Sequence, residues 1–237
     1  MRSGSPGNSV VVLLSGGLDS TTLLSIFKTR GYTIFPISFE YGQTHSRELK
    51  SVEDLCSYYG LKGKRVKVEI PESTSSLTGN AEIMARSLEE VGSGIPNTFV
   101  PSRNAIFLAL AASYAFSIGA DRIAIGINSV DYSGYPDCRP EFISRMEETV
   151  NLALGKHNAI RIEAPLQYLS KGEIISVGKT NNAPYELTWS CYRGDQVSCG
   201  KCDSCLLRLR GFMDAGLQDP LEYREFPDFY LEWIKRG

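Results

Sequence analysis

The sequence predicts an α/β fold, a Rossmann-like open parallel sheet with helices on both faces, followed by a small helical region around a group of cysteines. Three observations carry this. Short apolar runs rich in β-branched residues alternate with segments of helical spacing. The first run ends in a Gly-Gly turn that leads straight into a helix. Four of the six cysteines fall between Cys191 and Cys205, beyond the last strand.

The run Val10 to Leu14 is unbroken and ends at Gly16-Gly17, as expected of a strand buried on both faces. Leu23, Leu24 and Phe27 give Leu18 to Arg30 a helical spacing stopped by Gly31. Thr33 to Phe39 reads as the second strand and Ser46 to Tyr59 as a helix closed by Gly60. Arg65 to Ile70 is a third strand, ended by Pro71. Glu72 to Val100, mixed and rich in Ser, Gly and Pro, reads as an excursion or lid over the site. Arg103 to Ile118 is an Ala-rich helix, Arg122 to Ile127 a buried strand, and Asn128 to Pro140 a loop rich in Gly, Pro and Tyr. A helix and a last strand, Ala159 to Glu163, complete the β-α rhythm. The expected organisation is a loose, disordered tail over residues 1–8, an α/β domain over 9–169 and the helical region over 170–237.

Composition bounds the function. At 237 residues, with 42% hydrophobic and 22% charged residues, the chain can bury a sizeable core without disulfides. The 25 Lys+Arg against 27 Asp+Glu give −2, a poor balance for a protein that grips nucleic acid. No stretch approaches the ~20 apolar residues of a membrane span. A cytoplasmic protein with no nucleic-acid or membrane partner is the expectation.

The strongest motif is Ser15-Gly16-Gly17-Leu18-Asp19-Ser20, set between the first strand and the first helix. Ligands of open parallel sheets gather beyond the carboxyl ends of the strands, where this turn lies. Two glycines allow close backbone approach to an anion, and the helix N-terminus aims amides and partial positive charge at it. The hydroxyls of Ser15, Ser20 and Thr21 can add hydrogen bonds. Asp19 brings negative charge to such a site, which suits a Mg²⁺ ligand or a helix cap. A Walker A loop is excluded: the one approximate match, Gly172 to Thr180, has five intervening residues and follows no strand.

Cys191, Cys199, Cys202 and Cys205 have metal-ligand spacing, and four thiolates match a closed structural Zn²⁺ site. An iron–sulfur cluster is the rival, but Leu209 stands where a ferredoxin run would place its fourth cysteine. Of the other two, Cys56 reads as a small core residue and Cys138 sits in the loop beside Asp137 and Arg139.

That loop, from Asp131-Tyr132 to Asp137-Cys138-Arg139, should overhang the same end of the sheet. Its aromatics can stack on a flat ring, and a carboxylate can accept two hydrogen bonds from a guanine-like edge. Arg103, opening the Ala-rich helix, could meet a phosphate or carboxylate. Lys171, opening the helix after the last strand, could reach phosphates. His45 reads as a surface residue, and His157, near a predicted loop, is assigned no role.

The Ser15–Ser20 turn resembles the pyrophosphate-binding loop of the N-type ATP pyrophosphatases. Together SGGLDS, EYGQTHSRE, FVPSRN, DYSGYPDCRPEF, LSK and SCY…CGKCDSC, in order from about Val10 to Leu217, resemble the 7-cyano-7-deazaguanine synthases of queuosine biosynthesis. The resemblance implies a homodimer with one structural Zn²⁺ per chain, using ATP with Mg²⁺, ammonia and 7-carboxy-7-deazaguanine. It implies ATP contacts at Leu14, Ser15, Gly16, Gly17, Leu18, Asp19, Ser20, Thr21, Thr22, Leu23, Leu24 and Arg103. Asp19, Ser20 and Lys171 are the expected catalytic residues, and Asp131, Tyr132, Asp137 and Arg139 the expected substrate contacts. A tRNA-modifying ATP pyrophosphatase of the thiolase or lysidine synthase type is the rival enzyme, disfavoured by the charge balance. A non-catalytic zinc-bearing binding module is the rival outside enzymes.

Overall fold

The computed structural model describes residues 8–42, 47–70, 75, 98–130, 135–157, 159–193 and 196–236. Five strands, β1 (Ser9–Leu13), β2 (Thr33–Glu40), β3 (Lys64–Lys67), β4 (Arg122–Ala124) and β5 (Arg161–Glu163), form one sheet in the order β3-β2-β1-β4-β5. Every pairing is parallel, with Val10 opposite Ile34 on one side and Arg122 on the other. The chain winds outward from β1 in both directions, so the switch point lies between β1 and β4.

Strand alternation divides the sheet into two faces. Val11 and Leu13 pack with Leu108, Ala111 and Ala115 of α3 (Arg103–Ile118) and Ile143 of α4 (Pro140–Ala153). Val10 and Val12 point the other way, onto Leu23, Leu24 and Phe27 of α1 (Leu18–Thr29) and Leu55 of α2 (Arg47–Tyr59). Each fully buried branched side chain contributes about 1.5–3 kcal/mol, so the β1 run anchors both layers.

The C-terminal helices are α5 (Lys171–Thr180), α6 (Asp203–Asp214) and α7 (Asp228–Arg236). Ile174, Ile175, Tyr185 and Phe212 lie in the same core as Val10 and Leu24, so the region past residue 169 shares a core with the sheet. The Thr22 and Tyr185 hydroxyls are 2.7 Å apart across this contact. Arg208 and Asp219, only 2% and 1% exposed, form a buried ion pair that ties α6 to the following segment. Among the described residues no helix is long and apolar enough to cross a membrane.

Three strands are shorter than the sequence reading: β3 ends at Lys67 and not Ile70, β5 begins at Arg161 and not Ala159, and β4 is cut most. β4 leaves the ladder at Ala124 although the apolar run continues to Ile127. The chain turns there to pass beneath the first turn: a Cβ on Gly126 would lie 3.1 Å from the Ser20 nitrogen and 3.2 Å from the Asp19 carbonyl carbon. At the amino end, Asn8 is held to the fold, its carbonyl accepting the Thr33 N–H at 2.9 Å. Residues 1–7 of the expected tail and most of the expected lid fall outside the described residues.

Candidate active site

The site is built on the turn after β1. Gly16 takes φ +83°, the left-handed region that favours glycine, and a Cβ there would sit 2.5 Å from the Glu48 carbonyl oxygen. The Ser15 N–H donates to Ser20 Oγ at 3.2 Å, and the Ser20 hydroxyl donates to the Gly17 carbonyl at 3.1 Å. Thr21 Oγ1 donates to the same carbonyl at 2.9 Å. The helical ladder opens with Thr21 N–H to Gly17 O, so the amides of Leu18, Asp19 and Ser20 have no intrahelical acceptor. The turn is therefore a preformed nest of donors, held rigid from within.

Asp19 does not cap the helix. Both its oxygens accept from the Lys171 ammonium, at 2.9 and 2.8 Å. Lys171 is placed by the start of α5, where Ser170 and Glu173 form a capping box, and by Gly211 of α6, whose missing Cβ leaves room for the lysine stem. The C-terminal segment also reaches the turn directly, because Trp189 donates its N–H to Gly16 O at 2.9 Å.

Two hollows flank the turn. One, of about 180 Å³, lies between Ser15, Gly17, Leu18, Asp19 and Ser20 of the turn, with Gly16 outside its lining, and Lys171, Trp189, Ser190 and Arg208. The other, of about 310 Å³, runs across the carboxyl ends of β1, β2 and β4, past Leu14, Ser38, Tyr41, Arg103 and Asn128. Ser15, Asp19, Ser20, Glu48, Gly126 and Tyr192 line both. The larger hollow has an aromatic wall in which Phe39 stacks on Phe107 at 4.1 Å and the Arg103 guanidinium sits 5.7 Å above Tyr41. Burial works against the Arg103 charge, but the Tyr41 and Tyr135 phenols and Asp137 more than offset it, so the cation is kept.

The structure brings Leu14, Ser15, Gly17, Leu18, Asp19, Ser20, Arg103 and Lys171 to these hollows. Thr21, Thr22, Leu23 and Leu24 turn into the protein, with Leu23 and Leu24 wholly buried in the core. Asp137 accepts the Asn104 N–H at 3.2 Å while its carbonyl accepts from Asn104 Nδ2 at 3.1 Å, so it braces the start of α3 and lines neither hollow. Burial pushes its carboxyl up, partly opposed by the Asn104 N–H and by Arg103. Arg139 is exposed, and Asp131 and Tyr132 lie outside the described residues. Cys138 does line the larger hollow, where burial and the neighbouring Asp137 push its thiol up to about 12. Sequence reasoning missed Glu48 and Arg208; a charged residue inside a helical period reads as a solvated face.

The four sulfurs of Cys191, Cys199, Cys202 and Cys205 lie within 4.8 Å of one another and are buried. Separations of 3.9 Å (Cys199 to Cys205) and 3.5 Å (Cys202 to Cys205) sit close to the ~3.8 Å edge of a tetrahedron with metal–sulfur bonds of about 2.3 Å. The Arg193 and Cys199 amides donate to the Cys191 sulfur, and those of Lys201 and Cys202 to the Cys199 sulfur, as charge on thiolates requires. The cluster fits a four-coordinate metal with no open position.

Residues 9–216 match the family described as "Queuosine biosynthesis protein QueC". A protein of Thermoplasma acidophilum named 7-cyano-7-deazaguanine synthase is 52% identical over 229 residues, 95% of this chain and 96% of that one. Its namesake from Picrophilus torridus is 50% identical over 228 residues, covering 95% of each chain. A third, from Oceanobacillus iheyensis, is 49% identical over 92% of this chain and 99% of its own. With the loop, the cleft and the cysteine quartet in place, these likenesses show that the chain belongs to the QueC family of queuosine biosynthesis proteins.

Proposed function

We propose that the chain is an ATP-dependent ligase that converts 7-carboxy-7-deazaguanine and ammonia to 7-cyano-7-deazaguanine. One observation carries this: a rigid nest of amides after β1 opens, between β1 and β4, into a cleft large enough for flat rings and lined by Arg103 and Tyr41.

The nest and Lys171 hold the β- and γ-phosphates in the smaller hollow, leaving the α-phosphorus toward the larger one. The adenine lies against the carboxyl ends of β1 and β2, where Leu14, Ser38 and Phe39 form the wall. Arg103 orients the carboxylate of the deazapurine so that its oxygen strikes the α-phosphorus, giving an acyl adenylate and pyrophosphate. Ammonia then displaces AMP to form the amide. A second activation, at the amide oxygen, lets that oxygen leave as the nitrile forms. No step needs a protein nucleophile; catalysis is positioning and charge neutralisation. Mg²⁺, when bound with ATP, supplies further neutralisation of the phosphates, and Asp19 is the carboxylate placed to hold it once phosphate competes for Lys171.

The cysteine quartet takes Zn²⁺, because its four buried sulfurs offer a closed tetrahedral set. Its role is architectural: Cys191 follows Trp189, whose N–H closes the Gly16 turn. Elemental analysis should find one zinc per chain, and iron in its place would refute the assignment. The same reading makes the chain a cytoplasmic homodimer with small-molecule substrates and no nucleic-acid partner. Sedimentation and filter binding with bulk tRNA check those two points. The reaction itself is tested by mass spectrometry of products from the deazapurine acid, ammonium and ATP. The nitrile is expected, and ATP left unconsumed would overturn the reading.

A further inference from the structure

Ammonia is the one substrate for which the expected residues provide nothing. At neutral pH it is almost all ammonium, which carries no lone pair, so an acceptor must take a proton before nitrogen can attack. Cations on the walls, Arg103, Lys171 and Arg208, would repel it. Among the described residues two acidic residues line the hollows, Asp19 and Glu48, and the Glu48 carboxyl feels the charge of Arg103 on the wall of the larger one. Asp19 is engaged through both oxygens by Lys171 and, on the reading above, is taken by Mg²⁺ once ATP binds. Glu48, on the first turn of α2, lines both hollows, at the seam where the α-phosphorus and the substrate carboxylate must meet.

We propose that the Glu48 carboxylate docks ammonium, takes its proton and releases ammonia onto the activated carbon. This rests on the synthase reading above. Glu48 takes one proton, which frees the nitrogen lone pair. That pair forms the C–N bond, the bond from carbon to the AMP oxygen breaks, and AMP leaves with those electrons. A second proton passes from nitrogen to solvent as the amide forms.

The environment suits the task. Glu48 keeps some solvent contact through the cleft but is closely surrounded by protein, and that burial raises its carboxyl to about 7, against the pull of Arg103. Asp19 from α1, Tyr41 after β2, Lys171 from α5, Arg208 from α6 and Tyr192 share the hollows with it. Tyr135, Cys138 and Cys191 complete the titratable lining of the larger one. A group that exchanges its proton near the working pH is the efficient acid–base catalyst.

The test compares ammonium with hydroxylamine, which is already a free amine at neutral pH and gives a hydroxamate. Glu48→Gln should lower ammonium-dependent kcat/KM by about 10²–10⁴-fold, the usual range for a general base, and hydroxamate formation far less. In the unsubstituted protein, ammonium-dependent kcat/KM should rise through an apparent pKa near 7 and then level. Equal losses with both nucleophiles, or a rate that climbs unbroken to the pKa of ammonium itself, would overturn the proposal. If the variant does not fold, the profile of the unsubstituted protein decides. Failure of that protein to form any product with either nucleophile defeats the synthase reading, and this proposal with it.

Discussion

The turns after β1 and β4 face each other across the switch point of the sheet, and both look functional in sequence. They do different things. The first turns its amides outward and satisfies its hydroxyls internally, so its donors are offered to a ligand. Among the described residues of the second, three bonds run inward: Asp137 holds Asn104, the Cys138 carbonyl accepts from Gln167 Nε2 at 2.8 Å, and Ser129 donates to the Gln167 carbonyl. A polar residue beside a cleft is a ligand contact only if the protein has not already used its hydrogen bonds.

Substitutions can break this contrast, most strongly at the first turn. Gly16→Ala should abolish turnover and the thermal shift on adding ATP, with a stability cost of about 1–3 kcal/mol from the strained φ and the collision with Glu48. A well-folded, ATP-binding variant would show that the turn tolerates other shapes. Asp19→Asn should lower kcat by about 10²–10³-fold while the metal content of the cysteine quartet stays unchanged. Retained activity there would remove Asp19 from catalysis. Asp137→Asn should cost about 1 kcal/mol in urea unfolding, as loss of a helix cap does, with the KM for the deazapurine little changed. A large KM effect without loss of stability would restore Asp137 to the substrate. Arg139→Ala should be the smallest, within about 0.5 kcal/mol and with near-normal kinetics, since the side chain is exposed.

Much of this was legible beforehand because the signals are local. The β1 run, the Gly-Gly turn and the cysteine spacing each specify structure within twenty residues, and each sits where expected. What escaped depends on partners distant in the chain. β4 stops early because Gly126 must pass under Ser20. Asp137 is claimed by a helix that begins 34 residues before it. Lys171 was expected on phosphates and lies on Asp19, which is the other half of the same charge balance. Glu48 shows nothing in its own helix period that sets it apart from a solvated glutamate; only the fold of β1, α3 and the C-terminal segment around it makes it a cleft residue.

The central claim is that the turn after β1 presents the α-phosphorus to the substrate's own oxygen. Deazapurine acid labelled with ¹⁸O in its carboxylate, turned over once with ATP and ammonium, tests it directly. One labelled oxygen should appear in the phosphate of each of the two AMP molecules released, and none in pyrophosphate. Label in orthophosphate beside ADP, or in water alone, would contradict the account.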